Sequence, residues 1–230
     1  MDNKLIEIIS NTDLFKDISV SDIPHLLKCF DCKVTEYKKD EYIAIAGDKF
    51  TGVGLILKGN VAITKEDLNG NQNIITILKK GDTFGEVIAF TDNTKWPSSV
   101  VSQNDCHIMI FHPEQVIGVC NNACSFHKTL VRNMLRIISI KAQILNKKLE
   151  YLTIKSIRGK LCRYILDCYK INTNLIVKLP LNREELANFL NVTRPSLSRE
   201  LCKMRNERII DFHKENITIL DLELLIYFLE

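Results

Sequence analysis

The chain has 230 residues, 46% of them hydrophobic, and a net charge of +3. This length and apolar content suffice for one large domain or for two modest domains with separate cores. No apolar run approaches the roughly 18 residues that a membrane span needs, and the charged start MDNKLIEIISNTDLF lacks the apolar segment of a secretory signal. These features argue against a membrane protein and favour a soluble cytoplasmic one.

Positive charge is concentrated in the last third of the chain. Residues 155–230 hold 13 Lys and Arg against 10 Asp and Glu, whereas residues 1–154 hold 18 of each kind. A mild basic excess of this kind suits contact with DNA, whose phosphates are negative.

Eight cysteines stand at positions 29, 32, 106, 120, 124, 162, 168 and 202. Cys29 and Cys32 have the spacing of a metal-ligand pair, but a second such pair is missing. Because thiols stay reduced in the cytosol, we expect ordinary, partly buried cysteines. A metal cluster or a thiol switch is the alternative.

The first region extends to about Pro113. Its first segment, residues 2–30, looks largely helical, and Ser21 and Pro24 mark the start of a helix within it. Short apolar runs separated by turn signals follow, and Asn69-Gly70 is a hairpin signal between two of them. The runs that indicate strands cover residues 41–45, 54–57, 60–64, 73–78 and 106–111. Many short strands at this spacing predict a compact barrel or jelly roll.

Residues 125–153 contain neither proline nor glycine and carry an apolar stripe about two residues wide. We do not expect a helix this long, lying between two domains, to bury its stripe inside either one, so the pattern predicts a coiled-coil-like homodimer. The alternative is a core helix of one fused domain. The stripe consists of Leu130, Ile137, Ile144 and Tyr151, with Val131, Ile138, Leu145 and Leu152 one step on.

The third region opens with a predicted helix over residues 157–169 and a short strand over residues 175–179. Asn182 and Glu185 then form a capping box that begins a short helix. Asn191 tolerates a left-handed turn, and Thr193 caps a further helix that has Pro195 in its first turn. Two helices joined by so short a turn predict a helix-turn-helix.

The second helix of this motif has two distinct faces. Leu197, Leu201 and Met204 fall on one stripe and are expected in the core. In a helix docked in the major groove, the outward residues near its start meet bases and phosphates. Arg199 is the candidate for base readout, because a guanidinium can bond O6 and N7 of guanine together. The candidates for contacts that position the DNA backbone are Thr193, Arg194, Ser196 and Ser198, each of which can alternatively reach a base. Arg183 is a further candidate for DNA binding. The alternative is a set of solvated surface residues.

A predicted hairpin follows the two helices. Residues 209–212 and 216–220 can pair across His213-Lys214-Glu215, and Asp221 caps a last helix with Leu222, Leu225 and Leu229 on its apolar face. Together with the two helices, this hairpin makes a winged helix-turn-helix.

With these motifs, the chain resembles the cyclic-AMP receptor protein/fumarate–nitrate reductase regulator (CRP/FNR) superfamily over nearly its whole length. The resemblance rests on GxVxIxKxDxxGxxxxIxxLxxGDxFGE from Gly59 to Glu86, on the long helix, and on TRPSLSREL. It implies an α+β fold with a jelly-roll, cyclic-nucleotide-binding-like β-roll sensor over residues 1–120, a dimerisation helix over 121–154 and a winged helix-turn-helix over 155–230. It further implies double-stranded DNA and RNA polymerase as partners, and DNA-binding domains that an effector reorients.

The sensor departs from the cyclic-nucleotide-binding members of that superfamily. Those members hold the ribose phosphate with a Gly-Glu pair and a downstream Arg-Ser pair. Gly85 and Glu86 match the first pair, whereas Trp96 and Pro97 stand where the second is expected. Trp96 cannot neutralise a phosphate, and Pro97 offers neither an N–H nor a hydroxyl. We therefore expect a small-molecule effector other than cyclic AMP.

The helix side of the family's pocket falls near Leu145 and Asn146, which suits an apolar or flat aromatic effector. Iron–sulfur members carry an N-terminal cysteine cluster, and no cysteine precedes Cys29, which argues against such a cluster. A haem-dependent, nitric-oxide-responsive branch is compatible with this sensor. The candidate axial ligands are His107, Met109, His127 and Met134, each of which can equally be a packing or surface residue.

The DNA reader departs from the family at one position. Many members have a Glu directly after the first arginine of the recognition helix, where it can accept a hydrogen bond from cytosine N4. Pro195 stands at that position, so we expect one base contact of the familiar half-site to be missing.

Three functions are weighed on these observations. The first is a homodimeric regulator that binds a palindromic site under control of a ligand, gas or redox signal. The second is a DNA-binding repressor or architectural protein that needs no effector. The third is an enzyme using Glu86, His107 and His112, which the lack of a catalytic triad order, an HExxH motif or a phosphate loop disfavours.

Overall fold

A computed structural model describes residues 3–30, 32–67, 72–92, 95–118 and 125–229. They fall into two compact units, an N-terminal one that ends at Ile140 and a C-terminal one that begins at Lys141. The predicted turn at Asn69-Gly70 and the pair Cys120 and Cys124 lie outside the described residues. None of the helices in the described ranges is both long enough and apolar enough to cross a membrane.

Helices come first in the N-terminal unit, as predicted for residues 2–30. They are α1 (Asn3–Ser10), a 3-10 turn (Asp13–Phe15) and α2 (Ile23–Phe30). Two more helices follow in this unit, α3 (Glu86–Ala89) and α4 (Pro113–Ile117). A long helix, α5 (Ser125–Thr153), begins in this unit and ends in the C-terminal one. The start of α2 lies next to its predicted capping signal, and the bounds of α5 coincide with those predicted.

Within the described residues of this unit, eight strands form two four-stranded antiparallel sheets, in the orders β1-β8-β3-β6 and β2-β7-β4-β5. The strands are β1 (Lys33–Tyr37), β2 (Tyr42–Ala44), β3 (Val53–Lys58), β4 (Asn60–Glu66), β5 (Gln72–Lys79), β6 (Thr83–Phe84), β7 (Ser99–Ser102) and β8 (Cys106–Phe111). The five predicted strands and the β-roll are confirmed. Strands β1, β6 and β7 were not predicted, because β1 is largely exposed, β6 has two residues and β7 has four.

Strand β3 is buried on both faces, which explains its unbroken apolar run. Val53, Leu55 and Leu57 belong to a core formed with α1, α2 and the start of α5. Ile56 points the other way, into a second core that includes Trp96. Since successive side chains of a strand alternate between its faces, this one strand separates the two cores of the unit.

Gly54 on β3 lies directly against an aromatic ring. It is the register partner of Phe84, and a Cβ atom at this glycine would lie 2.0 Å from Cζ of that ring. We therefore expect Gly54→Ala to lower the free energy of unfolding by about 1–3 kcal/mol, the usual cost of overpacking a core. Chemical denaturation followed by circular dichroism measures this cost. In a Phe84→Leu background the same substitution should cost much less, and an equal cost in both backgrounds would contradict the clash.

The C-terminal unit has its own core. Its helices after α5 are α6 (Ile157–Asn172), α7 (Arg183–Phe189), α8 (Arg194–Asn206) and α9 (Leu222–Tyr227). Strands β10 (Ile210–His213), β11 (Asn216–Ile219) and β9 (Ile176–Lys178) form an antiparallel sheet in the order β10-β11-β9. Asp221 caps α9 as predicted, but of its three predicted apolar residues only Leu225 is fully buried, while Leu222 is half-buried and Leu229 is exposed.

The stripe on α5 is divided among three environments, because neither unit buries the whole of it but each buries a part. Leu130 is fully buried in the core of the N-terminal unit, and Tyr151 is buried in that of the C-terminal unit. Ile144 and Leu145, in the middle of the helix, are 57% and 59% exposed. The apolar pattern of α5 therefore serves the two cores near its ends and leaves its central part uncovered.

Candidate nucleic-acid interface and sensor pocket

The helix-turn-helix is built by the capping signals that the sequence contains. The Asn182 side chain accepts hydrogen bonds from the backbone N–H groups of Glu184 and Glu185 at 3.0 Å each. The Glu185 carboxylate accepts in return from the backbone N–H of Asn182 at 2.9 Å, which completes the predicted capping box. Asn191 has a φ of 51°, the predicted left-handed turn between α7 and α8. Thus local hydrogen bonds fix where each helix begins.

Helix α8 divides into the two predicted faces. Leu197, Leu201 and Met204 are at most 1% exposed and form part of the core. Arg194 and Arg199 are exposed on the outer side, as are Pro195 and Cys202, while Ser196 and Ser198 are half-buried. The first turn of α8 therefore offers a cation and hydroxyls to solvent and contains no acid.

A short hydrogen-bonded chain orders the start of α8. The hydroxyl of Thr193, the N-cap, accepts from the backbone N–H of Ser196 at 3.3 Å and lies 2.8 Å from the hydroxyl of the same serine. The Arg199 guanidinium donates from Nη2 to the Ser196 hydroxyl at 3.3 Å. These contacts bring three of the predicted DNA-binding residues together on one exposed surface.

Arg183 lies elsewhere, against the predicted wing. Its guanidinium stacks on the ring of Phe212 at 4.9 Å and donates from Nη2 to the backbone carbonyl of Lys214 at 3.1 Å. Burial lowers the pKa of Arg183, and nearby Glu215 opposes that shift. Arg183 thus fastens the hairpin of β10 and β11 to α7, and its contact with DNA stays a prediction.

The turn at the tip of the wing has two residues instead of the three that were predicted. His213 pairs with Asn216 across β10 and β11, so the connecting turn consists of Lys214 and Glu215 alone. Lys214 adopts a φ of 53° there. Because β9 pairs with β11, the hairpin is the outer part of a three-stranded sheet.

Lys160 supports the turn between the two helices, and it was not predicted. Its side chain is 8% exposed, and its Nζ donates to the backbone carbonyl of Leu190, the C-cap of α7, at 2.9 Å. A cation at a helix C-terminus stabilises the exposed carbonyls of the last turn. No local sequence signal indicates this contact, since the two residues are 30 positions apart.

The predicted sensor residues lie where an aromatic cluster fills the β-roll. Trp96 is buried, with the ring of Phe50 edge-on at 4.8 Å and that of Phe84 at 6.1 Å. Gly85 has a φ of 83°, and a Cβ atom there would lie 2.9 Å from Cη2 of Trp96. Glu86 is 3% exposed at the start of α3. The Trp96 ring therefore lies directly beside the Gly85-Glu86 turn.

The backbone N–H and carbonyl of Trp96 both make hydrogen bonds. Its N–H donates to the carbonyl of Asp48 at 2.9 Å, and its own carbonyl accepts from Gly47 at 2.8 Å. Pro97, the next residue, is exposed and has no N–H. This segment consequently presents neither a cation nor a backbone donor from these two positions.

Leu145 and Asn146, the predicted helix side of the pocket, are exposed residues of α5 in the C-terminal unit. Gly85, Trp96 and Pro97 belong to the N-terminal unit. A pocket formed by both groups therefore stays a prediction.

The four candidate haem ligands do not all share one environment. Met109 and Met134 are buried in the same apolar core. His107 is half-buried, with Nε2 at 3.5 Å from Oε1 of Glu36, and His127 stacks on Phe126 with ring centroids 5.5 Å apart. Among the residues that the structure describes, no three His, Cys, Asp or Glu side chains cluster closely enough to hold a metal ion.

Five cysteine side chains that the structure describes are thiols in varied surroundings, and the side chain of Cys29, the predicted partner of Cys32, lies outside the described part. Cys106 and Cys162 are buried, Cys32 and Cys168 are half-buried, and Cys202 is exposed. Burial raises the pKa of the Cys162 thiol to about 12, which keeps it protonated.

Comparison with known proteins matches both halves of the chain. Residues 34–123 match the family described as cyclic nucleotide-binding domain, and residues 159–228 match the Crp-like helix-turn-helix domain. The cAMP-activated global transcriptional regulator CRP of Pasteurella multocida is 18% identical over 192 residues, which cover 82% of this chain and 90% of that protein.

Solved structures show the same fold. CprK complexed with OCPA has a TM-score of 0.64 at 11% identity, covering 89% of this chain and 92% of that one. The Thermus thermophilus catabolite activator protein has a TM-score of 0.53 at 17% identity, covering 95% and 98% of the two chains. The β-rich N-terminal domain, the long helix and the C-terminal helix-turn-helix are thus a known architecture.

Proposed function

Because the chain belongs to the CRP/FNR superfamily of DNA-binding transcription regulators, we propose that it is a homodimer that binds a palindromic operator under control of a signal other than cyclic AMP. The signal is a small molecule, a haem-bound gas such as nitric oxide, or a redox change. Such a regulator acts in the cytoplasm and works with RNA polymerase.

The observation that carries the proposal is the exposed start of α8. Thr193, Ser196 and Arg199 are joined by hydrogen bonds there, with Arg194 and Ser198 beside them. Helix N-terminal residues of this kind meet base edges in the major groove while hydroxyls and other cations bind phosphates. Arg199 is the proposed base reader, and Arg183 contributes through the wing.

Dimerisation is proposed through α5. Exposed or half-buried apolar residues follow one another there at alternating spacings of four and three, which is the pattern of a two-stranded coiled coil. They are Val131, Leu135, Ile138, Ala142, Leu145, Leu149 and Leu152, which we call the α5 seam. Leu135 and Leu149, 60% and 52% exposed, extend the predicted stripe. A two-fold dimer presents two copies of α8, which accounts for a palindromic site.

The proposed exclusion of cyclic AMP rests on Trp96 and Pro97. A nucleotide phosphate needs a cation and donors within hydrogen-bond reach, whereas the Trp96 ring packs beside Gly85 and Pro97 has no N–H to give. Phe50 and Phe84 make the same region apolar. An apolar or flat aromatic effector bound beside this cluster fits that chemistry better.

Cyclic AMP is expected to leave the sensor unchanged. Trp96 is the single tryptophan of the chain, so its fluorescence reports directly on the aromatic cluster. Titration with cyclic AMP to millimolar concentration should give no saturable change in that fluorescence, because neither Trp96 nor Pro97 can bind the phosphate. A saturable change that cyclic GMP or AMP does not reproduce would contradict the exclusion.

DNA selection tests the proposed function. The wild-type chain is used to enrich duplexes from a randomised library, and we expect a palindrome whose half-sites lie about one helical turn apart. We call this enriched duplex the selected operator. Failure to enrich any sequence, both without and with a metabolite extract of the source cells, would refute the DNA-binding proposal.

The control by a signal is tested separately. Affinity for the selected operator is measured with and without a metabolite extract of the source cells. In a second measurement, the absorption spectrum of the protein purified from those cells is examined for a Soret band, which would indicate haem. An affinity that no extract changes, in a protein without such a band, would favour the effector-independent repressor instead.

A further inference from the structure

Arg158, the second residue of α6, is bonded to α8 at two points. Its Nε donates to Oε1 of Glu200 at 2.7 Å. Its Nη1 and Nη2 donate to the two carboxylate oxygens of Glu207 at 2.6 Å and 2.8 Å. Glu200 lies in the middle of α8 and Glu207 is its C-cap. One guanidinium therefore spans two turns of the predicted recognition helix.

The surroundings favour these bonds. The side chains of Arg158 and Glu200 are 19% and 16% exposed, and the guanidinium lies 4.7 Å from the ring of Phe228. The hydrogen bond to Glu207 raises the pKa of Arg158, and the same bond lowers the pKa of Glu207. Arg158 and Glu207 are consequently both charged, and hydrogen bonds between ionised groups are stronger than neutral ones.

The bonds from Arg158 fix the orientation of α8, which the apolar core of the unit does not. Leu197, Leu201 and Met204 hold α8 by apolar contacts, which attract without specifying an angle. A bidentate guanidinium–carboxylate pair has a fixed planar geometry. Glu200 follows Arg199 in the chain and is about 100° from it around the helix. Fixing the Glu200 side chain therefore fixes the direction in which Arg199 leaves α8.

We propose that Arg158 is a positioning residue for DNA readout, which sets the roll and axial position of α8 through Glu200 and Glu207 so that Arg199 meets its base. The inference rests on the proposed function, since it presupposes that α8 reads DNA. Arg158 acts through the helix and not by binding phosphate, because Nε, Nη1 and Nη2 already donate to the two carboxylates.

The test measures affinity of full-length variants for the selected operator and for a scrambled duplex of the same composition. Arg158→Met should weaken operator binding at least about tenfold, which corresponds to 1.4 kcal/mol, and change binding to the scrambled duplex little. Arg158→Lys keeps the charge but not the planar guanidinium that bonds a carboxylate through two N–H groups, so it should restore little of the lost operator affinity. In an Arg199→Ala background, Arg158→Met should have almost no further effect, because the residue that it positions is absent.

Two further variants complete the test. Glu207→Gln removes one carboxylate from an exposed position and should reproduce part of the effect, even if Arg158→Met proves too unstable to purify. Arg132→Met removes another ion-paired arginine, in the N-terminal unit, and should leave the ratio of the two affinities unchanged. Equal loss on both duplexes, rescue by lysine, or an undiminished effect without Arg199 would each overturn the inference. If the wild-type chain enriches no operator, the proposed function has failed instead.

Discussion

Replacing Arg199 by alanine is expected to remove most of the discrimination between the selected operator and unrelated DNA. Arg199 is exposed on the outer face of α8 and held over the helix start by its bond to Ser196. A bidentate arginine–guanine contact contributes about 1–3 kcal/mol of discrimination, and a two-fold dimer makes it twice. Fluorescence anisotropy with the selected and scrambled duplexes measures the two affinities directly.

Arg194 provides the matched comparison, because it is an exposed arginine five residues earlier on the same helix. As a phosphate contact made by both subunits of the dimer, it should on removal weaken binding to both duplexes similarly. The slope of log affinity against log salt concentration should fall by about two, one for each subunit. Arg199→Ala should instead change mainly the ratio of the two affinities. If Arg199→Ala bound the operator with wild-type affinity and specificity, the assignment of the base reader would be wrong.

A glutamate at Leu149 is expected to break the proposed dimer. Leu149 lies on the α5 seam and is 52% exposed in the single chain. In a parallel two-stranded pairing each seam residue faces its own counterpart, so Leu149→Glu would place two carboxylates against each other. It would also forfeit the burial of two leucine side chains, about 1.5–3 kcal/mol each. The dimer dissociation constant should therefore rise at least about a hundredfold, and operator binding should fall with it.

Ile140 provides the control for this prediction. It is also apolar and exposed on α5, at 42%, but it precedes Leu149 by nine residues, which is two and a half helical turns. Ile140→Glu thus adds the same charge to the opposite side of the helix and should leave the dimer intact. Sedimentation equilibrium distinguishes the two variants, and a stable Leu149→Glu dimer would show that α5 is not the interface.

The reader domain was largely predictable because its signals are local. The capping box of Asn182 with Glu185, the left-handed turn at Asn191 and the cap at Thr193 each act within a few residues. Backbone geometry then follows from hydrogen bonds between near neighbours. The alternation of faces on α8 follows equally directly from the helical repeat.

The sensor was less predictable, because several of its elements are defined by their partners in the sheets. Strands β1, β6 and β7 carry weak patterns and become strands by pairing with β8, β3 and β4. Strand β5 shows the reverse case: Ile74, Ile75 and Ile77 form a strong apolar pattern yet are 49–56% exposed. Propensity alone does not decide burial, since burial depends on what covers the strand.

By itself, the sequence determined the class of the protein and the residues of its predicted DNA-reading surface. The tertiary structure decided what each arginine near that surface contacts. Arg199 is exposed there, whereas Arg183 is held against the wing and Arg158 is engaged by two carboxylates 42 and 49 positions away. It likewise decided that Leu130 and Tyr151 enter the cores while Leu145 and Leu149 do not. The physical reason is that periodicity and capping depend on neighbours along the chain, whereas burial and ion pairing depend on side chains that only the fold brings together.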